Sequence, residues 1–399
     1  MNDLSATLEH NYAIEMTKQS LHERFNNNAL HFLKGALEKL FYNQIDLNKM
    51  NTTIKGIHRI LIKDSICFQI DESLKDIYPG SGGDGSDASV KIQFEYDLLN
   101  GQINDLSVTP FCHQDAPNSL ATIEKTQKGD LIIRDLAYLN LDFLEQLDYI
   151  QQAFYLFRAH PNIYIYEKKQ GHYVKIDFTE ITSYMKKYNI TNMEKEVYLG
   201  QKKKLKTRLI IYLLPEDQIA RKLRKAKKRN KKDKRKTLSK EYKARASLNL
   251  FVTNMSHQQI PMEHVWYIYK MRWQIELMFK IWKSLCHIEK VKKVNRYRLE
   301  CYIYAKLMLI VFGWQMIWVV AQLMFEIDRK VISYYKAFKS LMYCKLDDLK
   351  ETLTAKKQHI YDFIQQFYKI SYKRHLLEKK KHNLSSLEIK LIYLKIALA

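Results

Sequence analysis

Cysteine is scarce in this chain. There are five in 399 residues (Cys67, Cys112, Cys286, Cys301 and Cys344), an odd number with no pair at zinc-ligand spacing. That argues against a disulfide framework and for a reducing cytosol. The N-terminus, Met1-Asn-Asp-Leu-Ser-Ala, lacks a basic region followed by an apolar one, so no signal peptide is expected. No internal repeat is found. The one stretch rich in Gly and Ser, Pro79 to Ser86, lacks the Lys-Ser/Thr ending of a phosphate-cradling loop and reads as a flexible connection.

Negative charge is also in short supply. Lys and Arg number 66 against 43 Asp and Glu, a formal net charge of +23. Such an excess favours a polyanionic partner, nucleic acid or an anionic membrane surface. The charge is concentrated. From Arg221 to Lys236, twelve of sixteen residues are Lys or Arg and one is Asp233, a local excess of +11. The surrounding tract, roughly 219–246, contains no glycine or proline and reads as a solvated helix or a mobile loop.

A chain of this length can hold two or three domains and bury a large core. Leu307 to Phe325 is almost wholly apolar and about as long as a membrane span. Gln315, Gln322 and Gly313 interrupt it, and amphipathic helices flank it, so a central helix buried by its own protein fits better.

Residues 1 to about 55 read as helical. Thr17 is a plausible N-cap for Lys18–Asn26, which offers Lys18, Gln19, His22 and Arg24 either as a helix-turn-helix reading element or as part of a plain helical bundle. Ile57–Lys63 reads as a strand ending at Asp64-Ser65. Val90–Leu98 and Ile103–Thr109 alternate as strands around Asn100-Gly101, a two-residue hairpin signal. A short helix is expected at Ser119–Thr126, a strand at Asp130–Arg134 ending at Asp135, and a helix at Leu141–Gln152. Phe154–Arg158, Ile163–Glu167, Tyr173–Phe178, Arg208–Leu214 and Leu248–Thr253 read as strands. A helix starts near Met262, and from about 291 onward only helices are expected.

That helix carries the most informative pattern. At ~100° per residue, Tyr269, Arg272, Glu276 and Lys283 share a strip about 60° wide, and Lys280 lies close to it. Met271, Ile275, Met278, Trp282 and Leu285 form the opposite, apolar side. The plain alternative is a salt-bridged surface helix, since Arg272 and Glu276 are an i,i+4 pair. Two aspartates at strand ends change the balance. Ligand groups collect at the carboxyl ends of strands in an open sheet. Asp64, Asp135 and Glu276 could together hold two Mg²⁺ ions, which prefer carboxylate oxygen and share the substrate's phosphate oxygens. Each aspartate alone is more often a turn former; the combination with the charged helix face is what is specific.

The helix resembles the Tyr-x2-Arg-x3-Glu-x6-Lys signature of bacterial DDE transposases of the insertion-sequence-four family, with Tyr269, Arg272, Glu276 and Lys283 at that spacing. Asp64-Ser65 resembles the family's first aspartate motif, and Asp135-Leu-Ala-Tyr138 resembles the second. Ala137 stands where the family usually has glycine, and Ile66 where threonine is common. The region ahead of Lys18 is shorter than the end-recognition domain of many relatives.

The resemblance implies an α/β (α+β) fold. An RNase H-like mixed sheet core (56–159 and 248–290) would carry a β-rich insertion with the basic arm (160–247), flanked by helical regions at 1–55 and 291–399. It implies cut-and-paste transposition, with Asp64, Asp135 and Glu276 as catalytic metal ligands for two Mg²⁺ or Mn²⁺ ions. Tyr269, Arg272 and Lys283 would grip the transposon-end backbone, and Lys280 could join them. The partners implied are transposon-end and target DNA, bound by a homodimer, in the cytoplasm with the nucleoid rather than at a membrane. A non-catalytic, basic nucleic-acid-binding protein is the alternative, and a membrane-associated protein a third.

The basic tract reads as a backbone-gripping arm, because like charges this dense repel one another without a polyanion nearby. Replacing the Lys and Arg residues of 221–236 by Gln should flatten the salt dependence of DNA binding. The slope of log K against log salt should fall by about 0.9 for each phosphate the arm no longer neutralises. Binding isotherms at several salt concentrations measure it, and an unchanged slope would leave the tract without a DNA role.

Overall fold

The computed structural model describes residues 1–42, 56–81, 87–160, 162–232, 238–343 and 357–378. Three helices come first: α1 (Asn2–Tyr12), α2 (Lys18–Glu23) and α3 (Asn27–Tyr42). The core opens with β1 (Arg59–Gln69), β2 (Ser89–Asp97) and β3 (Ile103–Pro110). α4 (Asp115–Ala121), β4 (Asp130–Arg134), α5 (Leu141–Tyr149) and β5 (Phe154–Arg158) follow. Next are β6 (Ile165–Lys169), β7 (His172–Lys175), α6 (Phe178–Lys187), β8 (Asn192–Leu199), β9 (Leu205–Leu213), α7 (Glu216–Lys232), α8 (Lys240–Ala246) and β10 (Leu248–Thr253). The chain continues in α9 (Met262–Lys270), α10 (Trp273–Ser284), α11 (Arg296–Asp328), α12 (Tyr334–Met342) and α13 (Lys357–Arg374).

The described strands form a single ten-stranded sheet in the order β3-β2-β1-β4-β5-β10-β9-β8-β6-β7. β1, β2 and β3 make an antiparallel meander, and β4 and β5 run parallel to β1. The order 3-2-1-4-5 with that polarity is the mixed sheet expected of an RNase H-like core. From β5 outward every pairing is antiparallel, so β6–β9 extend the core sheet through β10.

The period-2 alternation of the strands separates two cores. Ile60, Ile62, Ile66, Ile133, Leu156, Ile210 and Phe251 face α9, α10 and α11, in one cluster with Ile275, Met278, Trp282 and Ile317. Leu61, Ile132, Tyr155, Phe157, Leu209 and Val252 face the other way, onto Phe143, Leu144 and Leu147 of α5 and Ile181 and Met185 of α6. The apolar run Leu307–Phe325 lies inside the 33-residue α11, which is long and apolar enough to cross a membrane but is 67% buried over its most apolar window. Gly313 lets α12 approach it, since a Cβ there would come within 2.8 Å of the Leu341 side chain.

Several sequence expectations need correction. β1 does not end at Lys63: it continues to Gln69, with Asp64 in mid-strand opposite Phe94. The antiparallel ladder to β2 satisfies the backbone of Asp64-Ser65, so the polar pair does not end the strand. The β2–β3 connection is wider than a two-residue turn, because Asp97 N–H closes onto Gln102 O. Only Gly101 takes positive φ there (+72°), against the Trp318 ring. The short helix expected at Ser119–Thr126 starts earlier, at Asp115. β7 stops at Lys175, and Phe178 opens α6, whose N-cap Asp177 accepts a hydrogen bond from Thr179 N–H. The basic tract contains α7 and α8; its residues 233–237 lie outside the described residues, as do 43–55, 82–86 and Cys344.

Trp282 ties the motif helix to the sheet. It is fully buried, with its ring 4.9 Å from that of Phe94, the residue paired with Asp64. Trp282→Ala should cost about 3–5 kcal/mol. Trp273→Ala, at a site 60% exposed, should stay within about 0.5 kcal/mol. Urea unfolding of both variants reads the contrast; equal midpoints would refute this packing.

Candidate active site

The charged helix face is not on one continuous helix. Between α9 and α10 the amides of Met271, Arg272, Gln274 and Ile275 each bond to the carbonyl three residues back, a 3₁₀-type passage. Tyr269 shares the buried side of α9 with Val265 and Ile268. It is 5% exposed, with its ring 5.0 Å from that of Phe251. Burial pushes its phenol above the ordinary value, although the Arg272 charge opposes the shift. The helical wheel had presented Tyr269 outward; the structure buries it against Arg272.

Arg272 sits at the N-cap of α10 and is 7% exposed. Its Nη1 donates to Asp64 Oδ2 at 3.1 Å, and its Nη2 to Glu276 Oε1 at 2.9 Å. The other oxygen of Asp64, Oδ1, accepts from Ser65 N–H at 2.8 Å. Asp135 follows β4 and opens a 3₁₀ turn, Leu136–Tyr138. Its charge reaches both Asp64 and Arg272. Burial alone would lower the Arg272 pKa, but Asp135, Tyr269, Asp64 and Glu276 together hold it above the ordinary value. Asp64 is pushed up to about 6, first by burial and then by the Asp135 and Glu276 charges, against the opposing Ser65 amide and Arg272.

An open cleft of ≈ 620 Å³ is lined by Asp64, Ser65, Glu276, Lys280, Lys283 and Ser284, with Ile66, Cys67, Phe279 and Glu289. Lys283 lies 3.6 Å from Glu289, and Lys280 stands over the Tyr335 ring at 5.7 Å. The structure thus gathers Asp64, Glu276, Lys280 and Lys283 on one cleft. Asp135 and Tyr269 are not among its lining residues. Ala137 has negative φ, so the turn after Asp135 needs no glycine.

The donor set suits a hard divalent cation. It is all carboxylate oxygen, and burial holds Asp64 toward its protonated form even beside Arg272. Among the described residues, however, no three His, Cys, Asp or Glu side chains come together closely enough to hold one ion. Arg272 occupies the space between Asp64 and Glu276.

Two groups of functional interest escaped sequence reasoning. Lys63 and Arg134, each just before one of the aspartates and paired across β1 and β4, are fully buried on the sheet's other face. Lys63 Nζ donates to Asp105 Oδ2 and Thr122 Oγ1, both at 2.9 Å, and Arg134 Nη2 donates to Glu95 Oε1 at 2.6 Å. A cation inside an apolar strand was the available signal. The second group is Arg158, paired with Phe251 beside Tyr269, and Lys222 of α7. Both donate to Asn249 Oδ1, at 3.0 and 3.2 Å, and neither has a carboxylate partner among the described residues. Burial and the Arg158 charge push Lys222 down to about 8. No local pattern announced this pair, which forms only in the folded sheet.

A family model described as "Transposase DDE domain" matches residues 55–312. The chain belongs to the DDE transposase family. It is 36% identical over 337 residues to the transposase for insertion sequence element IS231E of Bacillus thuringiensis subsp. finitimus, covering 81% of this chain and 70% of that protein. It is 33% identical to the IS231B transposase of Bacillus thuringiensis subsp. berliner (92% and 80% covered). It is 32% identical to the IS1151 transposase of Clostridium perfringens (86% and 75% covered). These relatives make the chain an insertion-sequence transposase, an enzyme that cuts DNA and transfers strands, rather than a non-catalytic binding protein. Among solved structures, a piggyBac transposase synaptic complex with hairpin DNA aligns at TM-score 0.36 and 12% identity, over 83% of this chain and 60% of that one. That likeness is too distant to carry an argument.

The raised Asp64 pKa sets a pH dependence for this transposase. A carboxyl whose folded pKa exceeds its ordinary 3.8 contributes stability while protonated, and that contribution is lost as pH rises through about 6. Asp64→Asn cannot ionise. Relative to wild type, it should gain on the order of 2–3 kcal/mol between about pH 4 and about pH 7. Urea unfolding in chelator measures this; parallel pH curves for the two proteins would refute it.

Proposed function

We propose that this transposase moves its insertion sequence by cut and paste, with Asp64, Asp135 and Glu276 as the carboxylates that hold the divalent cations. The observation that carries this reading is the Arg272 guanidinium fastened to Asp64 on β1 and to Glu276 on α10. It brings two elements far apart in sequence onto one cleft and marks a carboxylate group that requires positive charge. Mg²⁺ or Mn²⁺, two ions in all, would activate the attacking water or 3′-hydroxyl and stabilise the leaving oxygen.

The protein's own groups bind and orient. Lys280 and Lys283 project into the cleft and hold phosphates of the element end. Arg272 is charged at every physiological pH, so it can exchange a carboxylate for a phosphate oxygen without a proton transfer. The buried Tyr269 phenol sits against Arg272 and limits its rotation. Arg158 and Lys222, two cations sharing one neutral acceptor, extend the phosphate grip toward the basic helix α7. Two element ends must be cut together, so the working species is a homodimer on DNA, associated with the nucleoid.

Glu276→Gln should abolish Mg²⁺- or Mn²⁺-dependent cleavage of a duplex carrying the element end, while affinity for that duplex is retained. Cleavage and binding are followed on the same labelled DNA. Intact cleavage by this variant would remove Glu276 from the metal-holding set.

A further inference from the structure

We propose that the outer end of the sheet's active-site face is a stacking platform for unpaired nucleotides. The proposal rests on the DNA-acting reading above, and adds a second binding surface remote from the cleft. Four tyrosines share this face: Tyr164, Tyr166, Tyr173 and Tyr198. Tyr164 and Tyr166 stack at 6.5 Å and 21°, and Tyr173 meets Tyr198 edge-on at 4.9 Å. Tyr166 pairs with Tyr198 across β6 and β8, and Tyr198 pairs with Lys206 on β9. Lys206 has the parity of Ile210, which packs in the core under α9 and α10. The tyrosines therefore lie on the same sheet face as Asp64. From β1, which carries Asp64, to β6 is six strand spacings, about 29 Å at ~4.8 Å each.

Cross-strand aromatic pairs stabilise any sheet, and that alone would account for rings touching one another. It does not account for the lysines or the exposure. Tyr164 is 46% and Tyr173 44% exposed, and every residue of β7, the edge strand, is exposed. Lys204 Nζ stands 2.9 Å above the Tyr166 ring and Lys175 Nζ 5.8 Å from that of Tyr164. Lys204, and Lys168 opposite Tyr173, have no carboxylate partner among the described residues. Lys175 is already paired with Glu241 at 3.2 Å, so the free charge is that of Lys204 and Lys168; open rings beside such cations match bases and phosphates together. A duplex hides its base faces, whereas an unpaired strand offers them, so the occupant is single-stranded DNA.

The test compares a labelled oligo-dT with a duplex of equal length, by fluorescence anisotropy in chelator, using the full chain. Tyr164→Ala with Tyr173→Ala should weaken oligo-dT binding at least ~10-fold and leave duplex affinity unchanged. Tyr164→Phe with Tyr173→Phe should restore oligo-dT binding, because the rings remain. Lys168→Gln with Lys204→Gln should flatten the salt dependence for oligo-dT. Glu276→Gln should bind oligo-dT like wild type, which separates this surface from the cleft whether or not the cleavage assignment holds. Unchanged oligo-dT affinity in the alanine variant would overturn the proposal, as would equal losses for both DNAs. So would a change in oligomeric state with oligo-dT affinity intact, which would make the face an interface between copies.

Discussion

Carboxylates cannot be gathered at a partly buried site without positive charge among them. Burial penalises each ionised form, and mutual repulsion adds to the penalty. In this transposase that constraint meets at Arg272. Its guanidinium joins a carboxylate in the middle of β1 to one a turn into α10, and it feels Asp135 at the end of β4. The planar fork of donors makes this possible, since two nitrogens can serve two carboxylates on different elements. The 3₁₀-type passage between α9 and α10 places Arg272 at the start of α10, level with the sheet.

The same need for neutralisation recurs beneath the sheet. Lys63 and Arg134 alternate with Asp64 and Asp135 and so point to the opposite face. There they are buried against Asp105 and Glu95. Loss of one partner from such a pair strands a charge in low dielectric, a cost of several kcal/mol. The strands that carry the two aspartates are therefore held on their underside by ion pairs that tolerate little displacement. Lys125 and Asn104 complete the set, the first on Asp105 and the second on Glu95.

Much of this was legible in the chain. The apolar stripe of Met271, Ile275, Met278 and Trp282 is buried as its spacing implied, and the Thr17 side chain caps α2 through Ser20 N–H. The strands of the first meander follow their alternation. The misses have physical causes. Asp64-Ser65 looks like a strand end, but a neighbour in the ladder decides that, and no local propensity records it. β8, Asn192-Met-Glu-Lys-Glu-Val-Tyr-Leu199, is half exposed and carries charge where a core strand carries apolar residues, so its alternation is muted. α6 contains Thr179, Ile181 and Thr182, β-branched residues that favour strands on propensity alone; tertiary burial of Phe178, Ile181 and Met185 makes it a helix. The site was legible as residue types and spacing. The Arg272 bridge was not, because it joins residues 208 positions apart.

The sheet is continuous from β3 to β7, and that fixes the place of its outer strands β6–β9. A separate domain could rotate about its two connections and change its position relative to the cleft. Here β10 is hydrogen-bonded to β5 on one side and to β9 on the other. Six register pairs join β10 to β9, and eight join β9 to β8. Moving β6–β9 as a unit would break the β9–β10 ladder. Arg208 adds a lock at the seam, since it donates to the carbonyls of Met255 and Ile260 while paired with Glu194 on β8. The outer strands therefore keep a fixed position relative to the strand that carries Asp64, set by the twist of one continuous sheet rather than by domain closure.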